Sequence, residues 1–220
     1  MKPALKALAI TLLWVAFGGL AANSQPSMPD TGQTTCYDSD GNVIDCQGTG
    51  QDGEFSINPH SYESITIGGD KMVRDNVTGL IWEVKGESDG TQDHTNPNDP
   101  DNTYTWYDSN PATNGGEAGT PGDGTDTEDF INAMNAMAYG GHNDWRLPTI
   151  KELSSLRDLE RYDPAINTEF FPNTVSVRYW SSSSVATNPS YAWYVYFSDG
   201  LVYSLNKSYD YRVRAVRGGQ

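Results

Sequence analysis

The residue types able to do chemistry in this chain are few and scattered. Cys36 and Cys46 are its two cysteines, and His60, His94 and His142 are its three histidines. Ser181 to Ser184 offer hydroxyls and His142 a base. No nucleophile-elbow sequence surrounds them, so a triad would be a chance pairing. His60 and His94 lie in polar stretches and read as solvated. The acids Asp126, Glu128 and Asp129 suggest glycoside hydrolysis only in the sense that many carboxylates are present. Two cysteines this far upstream make neither a zinc site nor a thiol catalyst. Hydrolase is therefore the weakest functional class, and the chain reads as a non-enzyme.

Oxygen ligands are more plentiful. Asp38, Asp40, Asn42 and Asp45 alternate so that their oxygens can converge on calcium, but the Glu that closes a calcium loop is missing, and turns are rich in Asp and Asn anyway. Asp99, Asp101, Asp123 and Asp126 are loosely constrained candidates for a structural calcium. No cofactor is otherwise expected. Arg212, Arg214 and Arg217 can hold an anion bidentately, yet against 29 acids they are expected to pair with carboxylates.

The elements that must position these groups follow from periodicity. Tyr37 to Asp45 reads as a hairpin turning at Asp40-Gly41, which lets a Cys36–Cys46 disulfide close it. Ser64 to Ile67 and Met72 to Asp75 read as strands around Gly68-Gly69, and Gly79 to Val84 as a third. Gly86 to Asp144 holds twelve acids and no Lys or Arg, so much of it is a long acidic loop. Asp126 caps a helix over Thr127 to Ala138 with Phe130, Met134 and Met137 as its core stripe. Thr149 and Glu152 form a capping box that starts a second helix burying Leu153, Leu156 and Leu159. From Arg178 the period becomes two. Tyr191, Trp193, Val195 and Phe197 share one strand face, and Ala192, Tyr194, Tyr196 and Ser198 the other. Leu201, Tyr203 and Leu205 alternate next, and Tyr211 to Arg217 closes the set. The order implies an α+β fold with antiparallel sheets.

Composition narrows the partners. With 220 residues, a formal charge of −15 and a pI near 4.3, the chain repels phosphate backbones and anionic membranes, so nucleic acid is excluded as a partner. Lys2 and Lys6 precede the apolar run Ala7 to Ala22, the pattern of a secretory signal cleaved after Ala22. That run is shorter than a membrane span requires, so the mature chain is expected to carry none. The chain divides into a signal at 1–22, a linker and stapled hairpin at 23–53, and a main domain at 54–220. Its expected location is periplasmic, cell-surface or secreted, an oxidising setting that suits the disulfide.

Six segments in order, DNVTGLIW (Asp75 to Trp82), YTWYDSNP (Tyr104 to Pro111), DWRLPTIKEL (Asp144 to Leu153), YWSSS (Tyr179 to Ser183), AWYVYFSDG (Ala192 to Gly200) and VRAVRG (Val213 to Gly218), resemble the Lcl C-terminal domain family over about Ser61 to Gly219. That family takes its name from a bacterial collagen-like surface protein. The resemblance implies a C-type-lectin-like fold in a surface or secreted ligand-binding domain. Some lectin-like regions of this kind are diversified by retroelements, and the Tyr, Ser and Asn between Ser181 and Arg217 are similar to such a region. Formylglycine-generating oxidases share the fold, but their active-site thiols are absent from the main domain. The EPN or QPD and WND sequences of calcium-bridged sugar lectins are also absent.

Trp145 and Trp180 read as core, and Arg146 as pairing with a carboxylate or capping carbonyls. The candidate contact set is Tyr194, Tyr196, Tyr203, Asn206, Tyr209 and Asp210, a paratope-like mixture expected to bind a protein or glycan. Alternation places Tyr194 and Tyr196 outward, opposite Trp193, Val195 and Phe197, whereas Leu201 and Leu205 suggest burial for Tyr203. The rival reading is a structural module of an envelope or appendage.

Overall fold

A computed structural model describes residues 27–112, 114, 119–120 and 122–218. The expected signal segment and its cleavage after Ala22 lie outside the described residues. No helix among the described residues is long and apolar enough to cross a membrane.

The stapled hairpin forms as its turn chemistry requires. Strands β1 (Cys36–Tyr37) and β2 (Val43–Ile44) pair antiparallel, and the Cys36–Cys46 disulfide holds their Cα atoms 5.2 Å apart. The Asp38 carboxylate accepts from the backbone N–H groups of Asp40 and Asn42 and from the Asn42 amide. These alternating polar residues thus build the turn. Glu160 anchors the hairpin to the main domain, accepting from the backbone of Thr34 and Thr35 at 2.6 and 3.0 Å.

The first large sheet begins with β3 (Tyr62–Ile67) and β4 (Asp70–Asp75), joined through Gly68 and Gly69 at φ of 64° and 103°. Side chains rarely adopt these angles, so the glycines set this turn. Asp75 then accepts from the N–H groups of Val77 and Thr78 and from the Thr78 hydroxyl, which turns DNVTG into a connector. Strand β5 (Ile81–Glu83) follows it.

The second sheet is an antiparallel meander of β6 (Arg178–Val185), β7 (Asn188–Tyr196) and β8 (Leu201–Asn206). The chain then crosses back. Tyr211 bridges to Tyr104 and Arg212 to Tyr179, and β9 (Val216–Arg217) pairs with β5 to give the order β3-β4-β5-β9. The long closing strand expected over Tyr211 to Arg217 is therefore split, because its first residues serve one sheet and its last the other.

Two short helices join the layers. α1 (Thr127–Ala136) is capped by Asp126, which accepts from Glu128 and Asp129 N–H at 3.0 and 2.9 Å. Phe130 and Met134 are buried as expected, but Met137 follows the last helical turn and is 47% exposed. α2 (Ile150–Ser154) has the full Thr149–Glu152 capping box and buries Leu153. Leu156 is buried beyond it, whereas Leu159 is 39% exposed because the helix stops at Ser154 and its phase is lost.

Carboxylates in the acidic segment mostly serve its own backbone. Asp101 accepts from Ser88 Oγ and from Asp89 and Gly90 N–H, and Asp99 from Asp93 and Asp101 N–H. No group of three or more His, Cys, Asp or Glu is placed to hold a metal among the described residues. His94 is not solvated as expected: its ring lies 5.2 Å from Tyr104 and it contacts the Thr103 carbonyl. His60 is likewise half-buried, with Nε2 shielded from water.

The end of β5 and the C-terminal crossing share a buried charged cluster. Glu83 is fully buried and accepts from Lys85 at 2.8 Å, Asn98 at 3.0 Å and the Ala215 N–H at 2.9 Å. Arg214, also fully buried, donates to the Glu83 carbonyl and to Thr174 Oγ1, and its guanidinium lies 4.9 Å over Phe171. Among the described residues Arg214 thus has no carboxylate partner, contrary to expectation, because backbone and hydroxyl acceptors receive it. Arg217 does pair with Asp144 at 2.7 Å, and Arg212 lies 3.9 Å from Asp101. Burial pushes the Lys85 ammonium below the usual lysine range, with Glu83 opposing that shift.

Asp126 makes a pH prediction. Its residue is fully buried, its Oδ2 has no hydrogen-bond partner among the described residues, and burial, with added repulsion from Asp129 and Asp123, raises its pKa to about 6. The folded chain then binds this proton more tightly than the unfolded chain, so the contribution of Asp126 to stability falls as pH rises from about 4 to about 6. Asp126→Asn keeps an acceptor for the cap and removes the titration. Urea unfolding across that window should show a flatter pH dependence for the variant than for the parent, and parallel curves would refute the assignment.

Candidate binding surface

The second sheet places the candidate residues by register. Arg178 pairs with Tyr196 and Trp180 with Tyr194 across β6 and β7, while Tyr194 pairs with Tyr203 and Tyr196 with Leu201 across β7 and β8. These residues share one face. The opposite face carries Val195, Phe197 and Val202 into the core that contains Leu153 and Phe171. The tyrosine face is itself largely covered, because Ala192, Tyr194 and Leu205 pack in the core around Trp106, Trp180 and Val213.

Tyr194 is consequently 5% exposed, which corrects the expectation that it faces outward. Alternation identifies two faces but not whether both are covered. Tyr196 is half-buried, and Tyr203, a candidate contact that its neighbours Leu201 and Leu205 had made less certain, is 50% exposed. Tyr209 is 54% exposed, and Asp210 is exposed beside it. Asn206 takes a turn role, its side chain accepting from Ser208 N–H and its carbonyl from Tyr209 N–H.

The rings form a continuous series. Tyr203 lies 6.3 Å from Tyr194, Tyr194 lies 5.4 Å from Tyr211, and Tyr211 stacks 6.3 Å from Tyr209 at 7°. Trp180 supports this row from below, 4.7 Å from Tyr211, with its indole N–H donated to the Tyr104 carbonyl. Tyr211 is held on both sides by backbone bonds with Tyr104. Burial raises its hydroxyl above the usual phenol range, with Arg178 opposing that shift.

Arg178 belongs to this surface although sequence reasoning missed it, and Tyr211 joins it from outside the expected contact set. The Arg178 guanidinium lies 5.7, 4.9 and 5.5 Å over the rings of Tyr194, Tyr196 and Tyr211, and its Nε donates weakly to the Tyr194 hydroxyl. Alternation from the buried Trp180 carried the signal, since it puts Arg178 on the same face. At the far end Lys207 is fully buried, donating to Ser184 Oγ at 2.7 Å and lying 3.6 Å over Trp106. It pins the end of β8 to β6.

The motif residues hold this arrangement. Trp145 is buried and donates its indole N–H to Tyr139, and Arg146 meets Glu152 at 2.7 Å and the Gly218 carbonyl at 3.0 Å, as expected.

Fold and surface together define an α+β domain of two antiparallel sheets that displays a tyrosine row crossed by one arginine. The chain belongs to the Lcl C-terminal domain family, whose model matches residues 71–217. No curated protein and no solved structure matches it.

Burial separates support from contact. Tyr194→Ala should cost about 3 kcal/mol of stability through the cavity it leaves, and Tyr203→Ala less than ~1 kcal/mol. Denaturant unfolding measures both, and equal losses would contradict the division.

Proposed function

We propose that this chain is an exported, non-enzymatic recognition domain with a C-type-lectin-like fold, binding a protein or glycan through its tyrosine row. The observation that carries this reading is the combination of half-exposed Tyr203 and Tyr209 with a base of buried Trp180 and Tyr194 and half-buried Tyr211. Aromatic anchors on a rigid base lose little side-chain entropy on binding and commonly dominate interface energy. Membership of the Lcl C-terminal domain family supports it, as do the signal-like leader and the disulfide, which suits an oxidising compartment.

A structural module of an envelope assembly is the second reading, favoured by apolar side chains that the stapled hairpin and the segment after it leave exposed, among them Val43, Phe55 and Ile57. The two readings place the contact at opposite features.

The test is Tyr203→Ala with Tyr209→Ala, both surface truncations. Against a ligand identified by pull-down or glycan array, the double variant should retain its circular dichroism and lose binding by about tenfold or more. Retained affinity, with loss instead in Val43→Ser or Ile57→Ser, would move the contact to the hairpin region.

A further inference from the structure

The tyrosine row already holds one cation, and its surroundings favour another. Arg178 occupies the faces of Tyr194, Tyr196 and Tyr211, which shows that these rings accept a guanidinium. No cation lies over Tyr203 or Tyr209 among the described residues, although both are about half exposed. Asp210, between Tyr209 and Tyr211, is an exposed carboxylate with no ion-pair partner among the described residues. Several basic side chains elsewhere are neutralised within the fold: Lys85 by Glu83, Arg146 by Glu152, Arg161 by Asp158 and Arg217 by Asp144. The formal charge of −15 is thus presented outward mainly as unpaired acid.

We propose that the tyrosine row is a docking surface for a basic polypeptide segment, whose lysine or arginine heads lie over Tyr203 and Tyr209 with Asp210 as counter-charge. The inference rests on the recognition reading and names its partner class. Long-range attraction concentrates cationic partners near an acidic surface, and the aromatic faces then supply short-range selectivity. The same field opposes sulfated or phosphorylated ligands, and a neutral glycan gains nothing from it.

The experiment uses the mature chain and three synthetic peptides of one length: arginine alternating with glycine, citrulline in place of arginine, and glutamate in place of arginine. Biolayer interferometry at physiological salt should show binding of the arginine peptide alone. Tyr203→Leu with Tyr209→Leu and Asp210→Asn should weaken it by about tenfold or more. Glu87→Gln with Glu169→Gln, which removes two exposed charges away from the row, should weaken it by less than about threefold. Equal losses in the two variants would reduce the effect to net charge and overturn the docking surface. Binding of the citrulline or glutamate peptide, or none of the arginine peptide, would overturn the partner class. In that event, a pull-down or array ligand that still depends on Tyr203 and Tyr209 keeps the recognition reading, and one that does not removes it as well.

Discussion

Everything in this fold is arranged around a carboxylate that has no access to water. Glu83 is fully buried at the end of β5, and its oxygens are taken by Lys85, Asn98 and the Ala215 backbone. A buried ion is costly unless it is fully hydrogen-bonded, and removing one partner leaves the others uncompensated. Two of the partners come from the segment that follows β5 and the third from the C-terminal crossing, so Glu83 is satisfied only when both segments are in place. Such a constraint selects one arrangement of the chain over other compact ones, which apolar packing alone does weakly.

The constraint reaches the surface through the C-terminal crossing. Arg214 and Ala215 are fixed at Glu83, and this sets where Arg212 and Tyr211 leave the core and meet Tyr179 and Tyr104. Tyr211 then lies on Trp180 and supports Tyr209, so the position of the exposed ring depends on a carboxylate in the interior. Lys207 adds a second tie close to Tyr209 in the chain by bonding the end of β8 to β6 through Ser184. Two buried charged groups thus hold the segment that carries Tyr209.

What the sequence made legible was local. The disulfide, the Thr149–Glu152 box, the Asp126 cap and the Phe130–Met134 stripe each depend on residues within one turn or one hairpin. Period two marked the strands β7 and β8. Errors began where a distant segment decides the outcome. Tyr194 was placed outward because alternation cannot report that Trp106 and Val213 cover the second face. Leu159 and Met137 kept a helical phase on paper after the helices had ended. Arg214 looked like one more surface cation, although its acceptor, the Glu83 carbonyl, is 131 residues away. The site was legible in part: Tyr203, Tyr209 and Asp210 are exposed, whereas the Arg178 contribution depends on three rings brought together only by folding.

The central claim is that the C-terminal crossing is locked to the core by Glu83 and does not fray on its own. Native-state hydrogen exchange of the Ala215 amide, the donor to Glu83 Oε2, tests this most directly. The account predicts that this amide exchanges only through global unfolding, with an opening free energy equal to the unfolding free energy from denaturant. Exchange through a local opening far less costly than unfolding would contradict it, because the chain end could then leave Glu83 while the rest of the fold stayed intact.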